Sequence, residues 1–184
     1  MCIRDRPTAD FSAIAGLEPS HYHALVIGNN SYASLPGLRT AIPDAAMIGS
    51  ILELDYGFDV QLLTDANRRD IVSALNGYRS RLTSSDNLLV YYAGHGWYDE
   101  EATQGYWLPV DAEQGDPSNW LSNATITDMV RAMPARHVMI VADSCYSGTL
   151  TRGIKMQAPS SGQVYLERLA AKRARTAMTS GGLE

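Results

Sequence analysis

Leu88-Leu-Val-Tyr-Tyr-Ala-Gly-His-Gly96 sets the reading of the whole chain. Six apolar or aromatic residues in succession, without the alternation of a half-exposed strand, describe a β-strand covered on both faces. The run ends in a glycine-flanked histidine, which places a polar group at the strand's carboxyl end. Runs of the same kind recur at His23–Ile27, Phe58–Leu63 and His137–Ala142, with a weaker one at Thr176–Thr179. Between the first two, Ala45, Ile48, Ile51 and Leu52 recur at helical spacing, with Pro43 and Asp44 in the first turn and Gly57 as the stop. Between the second and third, Asn67 caps a helix with Asp70 three residues on and an apolar stripe of Ile71, Leu75, Tyr78 and Leu82. Asp128–Met133 reads as a shorter helix ended by Pro134. The β-α-β-α-β rhythm predicts a three-layer α/β/α domain around a mostly parallel sheet. Trp97–Asn123 and Tyr146–Gln163 read as long irregular loops, the first acidic, with a hairpin piece at Tyr106–Pro109.

Length and composition fit one globular domain. The chain has 184 residues, 45% of them apolar and 19% charged. No apolar run approaches the roughly 18–20 residues of a membrane-spanning helix, so no membrane partner is expected. The net charge of −5 is unevenly split: residues 1–151 carry −9 and residues 152–184 carry +4. An acidic body argues against nucleic acid as a partner, because phosphate binding needs a concentrated basic face. Cys2 and Cys145 are the two cysteines. That count excludes a disulfide scaffold, argues against a cysteine-based zinc site and fits a reducing, cytoplasmic location. Residues 1–20 read as an irregular tail; the apolar stretch Phe11–Leu17 has no basic lead and is no secretory signal.

Ligands of open α/β sheets bind beyond the carboxyl ends of the strands. Gly94-His95-Gly96 stands at that end of the third run, and Asp143-Ser-Cys-Tyr-Ser-Gly148 at that end of the fourth. Alone, a cysteine is more often a small buried hydrophobe and a histidine a satisfied polar group. Together, at equivalent ends of strands that short connections make neighbours, they match the usual nucleophile–base pair of acyl transfer and are the candidates for it. The glycines beside His95 free the backbone and clear space for a substrate carbonyl.

Tyr91-Tyr-Ala-Gly-His-Gly96 and Asp143-Ser-Cys-Tyr-Ser-Gly148 resemble the two catalytic signatures of the caspase-like cysteine peptidases (peptidase family C14), metacaspase-type and bacterial members above all. Their separation agrees with the roughly 50 residues between histidine and cysteine in caspases. Ala24–Asn30 and Thr176–Gly182 are similar to the family's first and fifth strands. The resemblance implies a sheet of order 2-1-3-4-5-6, its sixth strand missing from this chain. It divides the chain into a tail (1–20), a large-subunit catalytic part (21–148), an intersubunit linker with a basic helix (149–175) and the start of a small subunit (176–184). It also implies His95 as general base and acid, Cys145 as nucleophile, and the backbone N–H groups of Gly96 and Cys145 as the oxyanion hole. No Asp or Asn is placed to orient His95.

Specificity follows from the same resemblance. Asp143 stands where caspases that cleave after Asp carry Gln, and Asp44 matches a second pocket carboxylate of metacaspases. Two carboxylates in one pocket favour Arg or Lys at P1 of a peptide or protein substrate. The plain reading of Asp44 is a helix-start charge. Arg39, one residue off the caspase S1 arginine position, carries the alternative of acidic specificity. Arg152, Lys155, Arg168, Lys172, Arg173 and Arg175 lie where family members are cut between subunits, so self-cleavage is one reading of the basic segment and a solvated helix over Val164–Arg175 the other. No cofactor is required. Calcium activation is a secondary expectation, carried by Asp99, Glu100, Glu101, Asp111, Glu113 and Asp116, although no ligand loop of recognisable spacing is present. His21 and His23 make a poor metal site without a third ligand. The competing functions are a catalytically silent caspase-like interaction module, and a flavodoxin-type small-molecule domain that leaves the His–Cys pairing unexplained.

Overall fold

A computed structural model describes residues 20–144 and 173–179. The tail 1–19, Cys145, Arg152, Lys155, Arg168, Lys172 and residues 180–184 lie outside the described residues. Five strands form one parallel sheet: β1 (His21–Gly28), β2 (Asp59–Thr64), β3 (Asp86–Ala93), β7 (His137–Asp143) and β8 (Ala174–Thr179), in the order β2-β1-β3-β7-β8. These are the first five places of the expected order. Helix α1 (Ala41–Tyr56) packs on one face of the sheet; α2 (Arg68–Arg81) and α3 (Asn123–Arg131) pack on the other.

The two cores follow from strand alternation. Leu25 and Ile27 of β1, Val90 and Tyr92 of β3, and Ile140 and Ala142 of β7 face Ile71, Leu75 and Tyr78 of α2 and Ile126 and Val130 of α3. Ala24, Val26 and Tyr91 face the other way, onto Ala41, Ala45, Ile48 and Leu52. Ile51, expected in that stripe, is 40% exposed, and buried Gly49 takes its place against Val60. Gly57 ends α1 in the left-handed conformation (φ 69°). Asn67 and Asp70 form the expected reciprocal cap of α2.

Three expectations are corrected. The stretch 97–123 is only partly irregular: β4 (Gly96–Asp99), β5 (Gln104–Trp107) and β6 (Leu121–Ser122) form a small antiparallel sheet, and β5 takes in Tyr106 and Trp107 of the hairpin piece. Helix α3 begins at Asn123, well before Asp128, because the Ser122 hydroxyl accepts the Thr125 N–H and caps it there. Ala174 and Arg175 are strand rather than helix, paired with His137 and Val138. Arg175 is also withdrawn from the cleavable segment. Its guanidinium donates to the carbonyls of Val130, Met133, Ala135 and Arg136, and so satisfies the end of α3 and ties β8 to the turn before β7.

Candidate active site

The sheet register brings the two signatures together. Gly28, Ala93 and Asp143 are lateral partners at the carboxyl rim, Gly28 opposite Ala93 and Ala93 opposite Asp143. Gly94-His95 leaves the rim from β3, and Asp143-Ser144 leaves it beside them from β7. Ser144, whose next residue is Cys145, is the last described residue there.

His95 is held from three directions. Its Nε2 lies 2.8 Å from the carbonyl oxygen of Pro36, in the loop between β1 and α1. A carbonyl can only accept, so Nε2 carries the proton and, in the neutral ring, Nδ1 keeps the lone pair. The His95 N–H donates to the Tyr32 hydroxyl at 2.8 Å, and the two rings sit 4.7 Å apart. The His95 carbonyl accepts from Tyr92 Oη and from the Leu108 N–H, both at 2.9 Å. Burial pushes the Tyr32 hydroxyl up and the Tyr92 hydroxyl well above its ordinary range, so both stay protonated. Gly94 has a steric reason: a Cβ there would meet the Tyr32 and Tyr92 hydroxyls at 2.7 Å.

The bond from Leu108 to His95 also fixes Gly96. Residues 95 and 108 form a hydrogen-bonded position of the antiparallel β4–β5 ladder, so by alternation Gly96 and Trp107 form a non-hydrogen-bonded pair. The Gly96 N–H therefore points away from β5.

The loop that carries Tyr32 and Pro36 is itself anchored. Asn29, fully buried, accepts the Ala66 N–H at 2.8 Å and donates to the Ala66 carbonyl at 3.3 Å. Asp65 Oδ1 accepts the N–H groups of Asn30 (2.7 Å) and Ser31 (2.8 Å) from a backbone with φ 49°. Burial alone would raise the Asp65 pKa, but the Ser31 and Asn30 donors outweigh it and hold the carboxyl below its ordinary value. A depressed folded-state pKa gives stability that is complete above the unfolded value and lost as pH falls through the folded one. Asp65→Asn is therefore expected to lower the thermal midpoint at pH 6–7 and to flatten its fall below about pH 4, read by thermal melts across pH.

Asp44 and Asp143 act on one group. The Tyr91 hydroxyl is raised by burial first, then by the negative charges of Asp143 and Asp44. Tyr91 lies under α1, Asp44 is in the first turn of α1, and Asp143 ends β7 on the exposed rim. Arg39 is exposed ahead of α1. Of the acidic residues of 99–116, Asp99 and Asp116 serve their own turns, accepting the Ala102 and Ser118 N–H groups, while Asp111 accepts the Arg68 N–H at the start of α2. His23 lies between Asp59 (3.1 Å) and Asp86 (3.6 Å) at the opposite end of the sheet. Among the described residues, no cluster of three or more His, Cys, Asp or Glu side chains is arranged to hold a metal, and no helix is long and apolar enough to cross a membrane.

Tyr32, Pro36, Asn29 and Asp65 are the site residues that sequence reasoning missed. Their signal was the Asn29-Asn30-Ser31 run after β1, a turn-forming sequence.

A parallel sheet with this rim, and a histidine poised on it, belongs to a recognisable class. Residues 21–181 match the family model of the caspase domain, peptidase family C14, and the chain belongs to that family. Among characterised relatives, metacaspase-1 of Saccharomyces cerevisiae is 29% identical over 147 residues, covering 69% of this chain and 33% of the yeast protein. The mouse homolog of mucosa-associated lymphoid tissue lymphoma translocation protein 1 is 34% identical over 90 residues, covering 48% of this chain and 10% of that protein. This chain thus spans about a third of the yeast protein's length. In three dimensions it is similar to the crystal structure of protein GSU0716 from Geobacter sulfurreducens, with a TM-score of 0.58 at 21% identity, over 83% of this chain and 60% of that one. That likeness concerns the fold.

Proposed function

We propose that this chain is the catalytic part of a cysteine endopeptidase with Cys145 as nucleophile and His95 as base and acid. The observation that carries this reading is the His95 ring, fixed through Nε2 by the Pro36 carbonyl, which leaves Nδ1 as the basic nitrogen of the neutral ring. Nδ1 takes the Cys145 thiol proton, and the thiolate attacks the scissile carbonyl carbon. The imidazolium returns that proton to the leaving amine as the C–N bond breaks and a thioester forms. Water, deprotonated by the same ring, then hydrolyses the thioester and restores the thiol. The oxyanion is stabilised by the N–H groups of Gly96 and Cys145; the orientation of Gly96 away from β5 supports its part. Thiol, imidazole and backbone suffice without a cofactor, and a reducing compartment keeps the thiol free.

The P1 residue is Arg or Lys, bound by Asp143 and Asp44; the place of Asp143 at the exposed end of β7, and of Asp44 in the first turn of the helix that covers Tyr91, supports this reading. The segment with Arg152, Lys155, Arg168, Lys172 and Arg173 is then a candidate for self-cleavage. Asp143→Asn is expected to lower kcat/KM on a peptidyl-Arg amide by about 10²-fold, the cost of unpairing a bound cation. A peptidyl-Asp amide cleaved faster than its Arg counterpart by the unaltered protein would reverse the pocket assignment and turn attention to Arg39.

A further inference from the structure

We propose that the aromatic face of the β4–β5–β6 sheet docks a Lys- or Arg-rich polypeptide segment, outside the cleft at His95. Trp97 is 49% exposed and lies opposite Tyr106 in the β4–β5 register. The Trp120 ring completes a cluster, 6.1 Å from Trp97 and 5.5 Å from Tyr106. Trp120 is fixed by its own Nε1–H, which donates to the Glu113 carbonyl at 3.0 Å. The platform is therefore built before any partner arrives, which lowers the ordering cost of binding. Beside it, Trp97, Tyr98, Asp99, Glu100 and Glu101 line an open cleft of about 440 Å³.

Charge decides the occupant. Residues 97–123 hold six carboxylates (Asp99, Glu100, Glu101, Asp111, Glu113 and Asp116) and no lysine or arginine. Among the described residues, no basic side chain forms an ion pair with Asp99, Glu100 or Glu101. A single exposed tryptophan is ordinary. Three clustered rings beside a cleft rimmed with unneutralised carboxylates suit a cation, since a guanidinium or ammonium gains from the indole face and from the carboxylates together. The same charges repel nucleic acid and anionic lipid. Trp97 lies two residues beyond His95, so a polypeptide held here lies on the sheet that starts at the site. The docking surface does not depend on peptide hydrolysis.

The test is fluorescence anisotropy of a labelled short peptide of alternating Arg and Ala, added to the Cys145→Ala chain so that no cleavage intervenes. Trp97→Ala is expected to weaken binding about tenfold, and Trp97→Phe, which keeps a ring, by less than about threefold. Glu100→Gln with Glu101→Gln should weaken binding at low ionic strength and flatten its salt dependence. Asp44→Asn with Asp143→Asn should leave the main binding event in place. No binding of the basic peptide overturns the proposal, as does binding that survives Trp97→Ala. Binding lost with Asp44→Asn and Asp143→Asn but kept with Trp97→Ala places the peptide in the cleft; it overturns the docking surface and leaves the peptidase reading standing. Failure of the unaltered chain to hydrolyse peptides bears on that reading alone.

Discussion

Replacing His95 with alanine is expected to cut peptide hydrolysis by about 10²–10⁴-fold, the range of general acid–base catalysis by a positioned side chain, with little loss of stability. The two effects separate because of how the residue is held. Its backbone bonds, to Tyr32, Tyr92 and Leu108, do not involve the imidazole and survive the substitution. The ring is only half-buried, so its removal leaves no sealed cavity. The contact that fixes the tautomer comes from a main-chain carbonyl, so Pro36→Ala keeps the acceptor and should cost far less than His95→Ala. Steady-state rates at constant thermal midpoint check this. A His95→Ala chain that hydrolyses normally removes His95 from the reaction.

Trp107→Ala is expected to destabilise the domain by about 3–5 kcal/mol, as large aromatic truncations in cores do. Trp107 is fully buried and stacks on Tyr92 with ring centroids 4.3 Å apart and planes 4° apart. That stack joins the small sheet to the main one. It also positions the Tyr92 hydroxyl, which bonds the carbonyls of His95 and Leu108. The variant should therefore lose activity at temperatures where it is still folded, because His95 loses its support before the fold is lost. Among the described residues the indole N–H has no partner, so packing alone holds the ring. Trp107→Phe, which drops that donor and part of the ring, should cost less than about 2 kcal/mol. Denaturant midpoints and activity at matched fraction folded distinguish the variants.

The central sheet was legible because a strand buried on both faces writes itself as an unbroken apolar run, as Leu88–Ala93 does. Helix α2 was legible from its cap, since Asn67 and Asp70 act within one turn. The small sheet was not, because strands as short as Leu121–Ser122 have no periodicity and owe their pairing to chain far away. The start of α3 was hidden for a related reason: its first turn, Asn123-Ala-Thr, carries no apolar stripe, and Ser122 alone marks it. At the site, His95 and its rim were readable from strand ends. Its supports were not, because Pro36 acts through a carbonyl that any residue possesses and Asp65 through backbone donors of the loop after β1. Arg175 misled by composition: one more basic residue in a basic segment is, in the fold, a clamp on four carbonyls.

The most direct measurement is the intact mass of the chain after exposure to a peptidyl-Arg chloromethyl ketone, beside a peptidyl-Asp reagent and a Cys145→Ala control. A peptidase built on His95 and Cys145 with an acidic S1 pocket predicts one adduct from the Arg reagent, lost in Cys145→Ala, and none from the Asp reagent. An unlabelled chain, or an Arg adduct that persists in Cys145→Ala, would contradict it.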